Sequence, residues 1–213
     1  TKFLATEYSS EISRLLALKP DVIHTVNWGA GLTSFINQAE TRGLFEQSLV
    51  VMTTGLLNQA AMAPKGVAFS GRGYNPQYPD PHTNAANRAY LTSYKAKFNS
   101  LPDYQGTFMA QTFYGLKAAI EKAAKAKNGA FPSDEDIVTA FEGLTLDTPR
   151  GPVTVRKDHE GVHEAMWGLT SGKKDPKLGY PVLDQFKVYS AAETLPPEGM
   201  KTIDWIESWP AKK

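Results

Sequence analysis

The residues with the most obvious chemical potential are His159-Glu160-Gly161-Val162-His163, which match the H-E-x-x-H pattern. In that pattern two imidazoles one helical turn apart bind zinc, and the glutamate acts as general base. The chemistry needs a helix, so that both rings share a face. Here a strand-like run precedes the motif, another follows within two residues, and Gly161 interrupts it. The sequence predicts a hairpin turn with two exposed histidines, and a zinc hydrolase stands only as an alternative reading. Gly29-Ala30-Gly31 lies between a strand and a helix and resembles the opening of a dinucleotide loop, but Ser34 occupies the third glycine position. About 20 residues on, where an acid should hold the ribose, the chain reads Ser48-Leu49-Val50-Val51, so the fingerprint fails. What survives is either a helix N-terminus open to a polar group or simply a tight turn. No serine lies in a G-x-S-x-G elbow, and Asp158 beside His159 has no nucleophile at hand. No catalytic residue, metal ligand or cofactor is predicted, and the chain is not read as an enzyme.

Binding chemistry is better served. Asn27 and Trp28 end a predicted strand, and Thr53-Thr54-Gly55 ends the next. If the two strands are parallel, both ends meet at one sheet edge, where ligands of open α/β sheets bind. Trp28 offers a flat stacking surface or a plug for a lobe interface; Asn27 and Thr54 offer hydrogen bonds. Tyr104 and Phe108 add aromatic surface, as do Tyr74 and Tyr78; each of these could equally be core or hinge. The predicted ligand contacts are Asn27, Trp28, Thr54, Gly55, Tyr104 and Phe108.

The elements that must position them follow from periodicity. Ser9 and Ser10 are candidate N-caps for a helix with Ile12, Leu15, Leu16 and Leu18 on one face, stopped by Pro20. Strands are predicted over Asp21–Val26, Ser48–Met52 and Gly66–Ser70. The intervening helices carry Leu32, Phe35, Ile36 and Ala39, with Gly43 as a C′ residue. This βαβ rhythm implies a parallel sheet. Lys2–Thr6 is strand-like, and Arg72–Pro81 reads as a proline-rich crossing between lobes. Helices are then predicted over Asn84–Phe98, with Leu91, Tyr94 and Phe98 on one face, and Gly106–Lys127, with Phe113, Leu116, Ala119, Ile120 and Ala123 inward. A third, Asp134–Leu144, is capped by Ser133 with Asp136. Gly151–Arg156 and Ala165–Leu169 read as strands around a polar turn, Asp184–Tyr189 as a last strand, and Trp205 and Trp209 as a tail that packs down.

Composition sets outer bounds. The 213 residues suffice for a large domain or two lobes, and 41% hydrophobic with 21% charged residues is a globular composition. A net charge of +1 gives no case for nucleic-acid binding or for an anionic membrane surface. Zero cysteines exclude disulfides, thiolate zinc sites and a cysteine nucleophile. No apolar stretch approaches a bilayer span, and the first eight residues do not form a signal peptide.

Taken in order, several stretches resemble the type I periplasmic solute receptors of ABC importers for branched-chain amino acids and amides, the leucine/isoleucine/valine-binding proteins. They are Ser10-Glu11-Ile12-Ser13-Arg14-Leu15, Lys19-Pro20-Asp21-Val22-Ile23, Leu116–Ala123, Gly151–Arg156, Asp158-His159 and Phe186-Lys187-Val188. The resemblance implies an α/β fold of two Rossmann-like lobes with parallel sheets, here lacking the N-terminal part. Residues 1–72 would be βα units of the C-terminal lobe. Residues 73–183 would cross into helices and strands of the N-terminal lobe, and 184–213 would form a return strand and tail. It implies a small-molecule ligand closed between lobes, delivery to a membrane ABC permease, no nucleic-acid partner and no insertion in the membrane. The location implied is periplasmic, or extracellular and anchored through the missing N-terminus, with the signal peptide removed. A ligand-sensing receptor domain on the same fold is the alternative. The resemblance also implies that an aromatic at Trp28 contacts the ligand. Amino-acid binders carry a glutamate where Thr54 stands, which favours an amide, a carboxylate or an aromatic acid over an α-amino acid. A lobe without its first βα units should expose apolar faces.

Overall fold

The computed structural model describes residues 5–70, 84–174 and 181–210. In chain order its elements begin with α1 (Ser9–Leu18), β1 (Val22–Thr25), α2 (Gly29–Thr41), α3 (Leu44–Gln47), β2 (Leu49–Met52), α4 (Leu57–Met62) and β3 (Ala68–Ser70). There follow α5 (Ala85–Phe98), α6 (Tyr104–Ala126), α7 (Asp134–Phe141), β4 (Thr145–Thr148), β5 (Gly151–Val155) and β6 (Gly161–Val162). The last are β7 (Ala165–Lys174), β8 (Pro181–Tyr189), α8 (Ala191–Thr194) and α9 (Thr202–Glu207). Two compact units result: Thr1–Tyr74 with Met166–Lys187, and Asn75–Ala165 with Val188–Lys213. The expected strand at Lys2–Thr6 falls largely, and the crossing at Arg72–Pro81 wholly, outside the described residues.

The first unit is built on a five-stranded sheet of order β1-β2-β3-β7-β8. β1, β2 and β3 are parallel neighbours, and β7 runs antiparallel to β3. The βαβ pattern is thus realised, with α2 and α3 in the first crossover and α4 in the second. Ile23, Val50, Met52 and Phe69 are buried on one side of the sheet, together with Ile12, Leu32, Phe35, Ile36 and Ala39 from the helices. These helical residues recur at three- and four-residue spacing, which gives each helix one apolar stripe for the sheet. The opposite side carries Val22, His24, Leu49 and Val51, with Val22 beside Leu49 and His24 beside Val51 in register. Thr170 of β7 ties the unit together: its hydroxyl donates to the Pro64 carbonyl at 2.5 Å and accepts the Val67 amide at 3.0 Å.

Helix α1 begins one residue earlier than its serines suggest. Tyr8 is its N-cap residue, Ser9 and Ser10 lie inside the helix, and the Ser9 amide donates to the Glu7 carboxylate at 2.7 Å. The upstream carboxylate does the capping instead. The helix ends at Lys19 in the left-handed region, since the following Pro20 cannot continue it.

In the second unit α6 packs on α7 through Ala119, Ala123 and Ala140, flanked by Ile137, Phe141 and Leu144. The expected inward face of α6 is therefore corrected: small residues form the seam, whereas Phe113 is 62% exposed and Leu116 is exposed too. Small side chains let two helix backbones approach, and bulky ones are displaced to the flank. On α5, Asn87 is the buried residue and Phe98 is exposed. Ser133 and Asp136 form the expected capping box of α7, which stops at Phe141 because Glu142 is extended. The expected hairpin also differs. β5 turns back at once to pair with β6, and β7 leaves for the sheet of the first unit. Trp209 makes an edge contact with Trp205 at 4.9 Å yet stays exposed, so the tail does not bury both tryptophans.

Candidate functional site

The strand ends of the first unit are joined by a dense set of hydrogen bonds. Thr54 Oγ1 donates to the carbonyl of Asn27 at 2.6 Å and approaches that of Val26 at 3.2 Å. The Asn27 amide donates to Thr25 Oγ1 at 3.2 Å, and Thr53 N–H donates to the Thr25 carbonyl at 3.3 Å. His24 Nε2 and Thr53 Oγ1 lie 2.7 Å apart. Because β1 and β2 are parallel neighbours in register, the two loops that follow them emerge side by side, and Thr54 fastens one to the other. Asn27, Trp28, Thr54 and Gly55 are thereby gathered at the carboxyl edge of the sheet.

Trp28 occupies the N-cap position of α2 with an extended backbone, and its side chain makes no capping hydrogen bond. It is 53% exposed, so a broad apolar surface faces outward at the sheet edge. Gly55 is required by packing. A Cβ there would lie 2.0 Å from the Cζ of buried Phe69. Gln59 is a residue that sequence reasoning missed. Its side chain is 1% exposed; Nε2 donates to the Gly29 carbonyl at 2.8 Å and Oε1 accepts the Leu56 amide at 2.7 Å. It braces the start of α2 against the start of α4. The available signal was a polar residue on the inward side of a short helix otherwise made of Leu, Ala and Met.

Tyr104 and Phe108 belong to the second unit. Both lie on the first turns of α6 and meet edge to face at 6.0 Å. The guanidinium of largely buried Arg150 stacks over Phe108 at 4.0 Å, and its Nη1 donates to Gln111 Oε1 at 3.3 Å. Phe108 and Gln111 also line a groove of about 340 Å³ with Phe141, Leu146, Val153 and His163.

The His159–His163 motif lacks the helix its zinc chemistry needs. His159 sits in the turn after β5 with φ +67°, and its Nε2 lies 3.5 Å from Glu142 Oε1. His163 follows β6, and its Nδ1 lies 3.0 Å from the Glu164 carbonyl. The two rings engage different neighbours. Among the described residues no group of three or more His, Asp or Glu is placed to hold a metal ion. Nor is any described helix long and apolar enough to cross a membrane.

A two-unit α/β molecule with loops gathered at the carboxyl edge of a parallel sheet has the architecture of a solute receptor. Residues 1–174 match the profile of the periplasmic binding proteins, and the chain belongs to that family. Members of this family are extracytoplasmic solute-binding proteins rather than enzymes. Solved structures agree on the fold. The amino acid ABC transporter substrate-binding protein of Pseudomonas fluorescens Pf-5 superposes with a TM-score of 0.68 at 22% identity, covering 92% of this chain and 51% of that one. An ABC transporter solute-binding protein from R. palustris, in complex with 4-hydroxybenzoate, gives a TM-score of 0.71 at 15% identity, with 89% and 50% covered. A leucine-binding protein from Thermotoga maritima gives 0.67 at 15% identity, with 87% and 50% covered. The chain thus spans about half the length of these proteins. No curated sequence matches it.

Proposed function

We propose that the chain serves as the solute-binding component of an ABC importer, taking up a small neutral or anionic molecule, an amide or an aromatic acid, in the periplasm or at the cell surface. In this reading the first unit belongs to the C-terminal lobe and the second to the N-terminal lobe, and the ligand passes to a membrane permease. The observation that carries the ligand class is the sheet edge itself. Trp28 presents a stacking surface, and the neighbouring Thr54 contributes a hydroxyl and no charge. An ammonium held away from water without a carboxylate partner is costly, whereas an aromatic ring on Trp28 gains about 0.5–1.5 kcal/mol beyond its area burial. The complexes with benzoate derivatives among proteins of this fold make aromatic acids the first ligands to test.

Isothermal titration calorimetry against 4-hydroxybenzoate, an aliphatic amide and leucine tests this. The aromatic acid or the amide should bind more tightly than leucine. Trp28→Ala should weaken that binding by at least about fivefold, in line with the loss of one stacked ring. Thr54→Glu should shift preference toward leucine. Tight leucine binding that neither substitution alters would overturn the reading.

A further inference from the structure

The sheet of the first unit is apolar on both faces and covered on one. Ile23, Val50, Met52 and Phe69 are buried. On the other face Val22 is 54% and Leu49 44% exposed, and the two are register partners on adjacent strands. Val51, next to Leu49 but one, and Ala68, its register partner on β3, continue the same apolar face. Parallel strands with apolar side chains on both faces are the mark of a sheet sandwiched between two helical layers. Both crossovers between β1 and β3 advance the same way across the sheet, so the right-handed rule puts α2, α3 and α4 on a single side.

We propose that the open face is the seat of an amphipathic helix. That helix comes from a segment equivalent to the half of the related proteins that this chain does not span. The length supports that occupant: the matched structures hold about as many residues again as this chain covers. The strand direction supports it as well, since parallel sheets are closed by helices and a second copy would bring sheet against sheet. The helix must set apolar residues at three- and four-residue spacing over Val22, Leu49 and Val51, and leave a polar or small residue over His24, which shares the face.

The chain contains no cysteine, so a single introduced thiol reports on each face. Leu49→Cys should react with Ellman's reagent within about tenfold of free cysteine, and Val50→Cys, on the covered face, at least about a hundredfold more slowly, because it must await local opening. The probe is the part of the Pseudomonas fluorescens receptor outside the matched half, made as a separate polypeptide. Adding it should slow the reaction of Leu49→Cys by at least about tenfold and leave Val50→Cys unchanged. Introducing Val22→Lys beside Leu49→Cys should abolish the slowing. No slowing with the probe overturns the proposal. Protection of Leu49→Cys that grows with the concentration of the chain alone would overturn it in favour of a second copy. Protection already complete in dilute chain alone would show that the chain covers its own face, and would overturn it too.

Discussion

Thr54 and Gly55 are adjacent and do opposite things. Thr54 contributes a side chain that stitches two loops together. Gly55 contributes the absence of one, so that the ring of Phe69 can lie against the backbone. Gly55→Ala should therefore be tolerated poorly: a Cβ 2.0 Å from Phe69 Cζ forces the ring out of a site with no exposure. Overpacking of this kind costs about 1–3 kcal/mol, and denaturant unfolding of the variant should show it. A Phe69→Leu exchange in the same background should recover part of the loss. An unchanged midpoint for Gly55→Ala would mean that the ring has room to move. The glycine's position was legible in the sequence as a strand-ending T-T-G. Its reason was not, because Phe69 arrives from the next strand and only the register brings it there.

At the scale of elements, the clearest device is the clasp on the β5–β6 turn. Arg156 and Asp158 form a two-pronged ion pair, Nε to Oδ1 at 2.9 Å and Nη2 to Oδ2 at 2.7 Å. Arg156 Nη1 also donates to the Pro196 carbonyl at 2.7 Å, and Asp158 accepts the Gly199 amide at 3.2 Å, so the pair fastens the turn to the segment between α8 and α9. The guanidinium beside it, helped by the Gly199 and Glu160 amides, lowers the Asp158 carboxyl from 3.8 to about 2. A carboxyl with a depressed folded-state value stabilises the fold above its unfolded value and loses that contribution as pH falls through the folded one. The thermal midpoint of the protein should therefore decline between about pH 4 and pH 2 partly through this group. Asp158→Asn should lower the midpoint at neutral pH and flatten the decline in that window. An identical pH profile in the variant would exclude the clasp as its source.

Elements also show where sequence reading succeeds and stops. Every local signal that depends on neighbours in the chain was readable. Pro20 ends α1, Ser133 and Asp136 cap α7, and Gly43 follows α2 in the left-handed region. What failed depended on partners far away. The spacing of Phe113 and Leu116 marks a helix, but which stripe of α6 meets α7 is decided by Ala140 on the facing helix. Likewise β7 looks like the return arm of a local hairpin, and only its pairing with β3 reveals its sheet. At the site, Asn27, Trp28, Thr54 and Gly55 were predictable from the parallel βα rhythm, whereas buried Gln59 needed two helices to be seen together.

At the scale of the molecule, neither unit is continuous in sequence. The first takes its closing strands from residues 166–187, after the chain has built most of the second. Truncation after Ala165 should therefore unfold the first unit although all its parallel strands remain, because β3 loses β7 and the amide of Val67 loses Thr170. Far-UV circular dichroism should fall by more than the deleted segment's share, and backbone NMR should show collapse of dispersion for Ile23, Val50 and Phe69. Retained dispersion there would mean that β1–β3 and their helices stand without the antiparallel strands.

The bond between Val67 and Thr170 spans 103 residues of chain. A ribosome working at about 5–20 residues per second needs roughly 5–20 s to deliver the second partner after the first. Throughout that interval the nascent strands β1–β3 have one face unsealed and one neighbour unmade. The completion of the fold is thus timed by synthesis and comes late. A chain with that schedule stays open long enough for a holdase to engage it or for a translocon to thread it, and an early β3 without β7 leaves little native structure to be undone on the way.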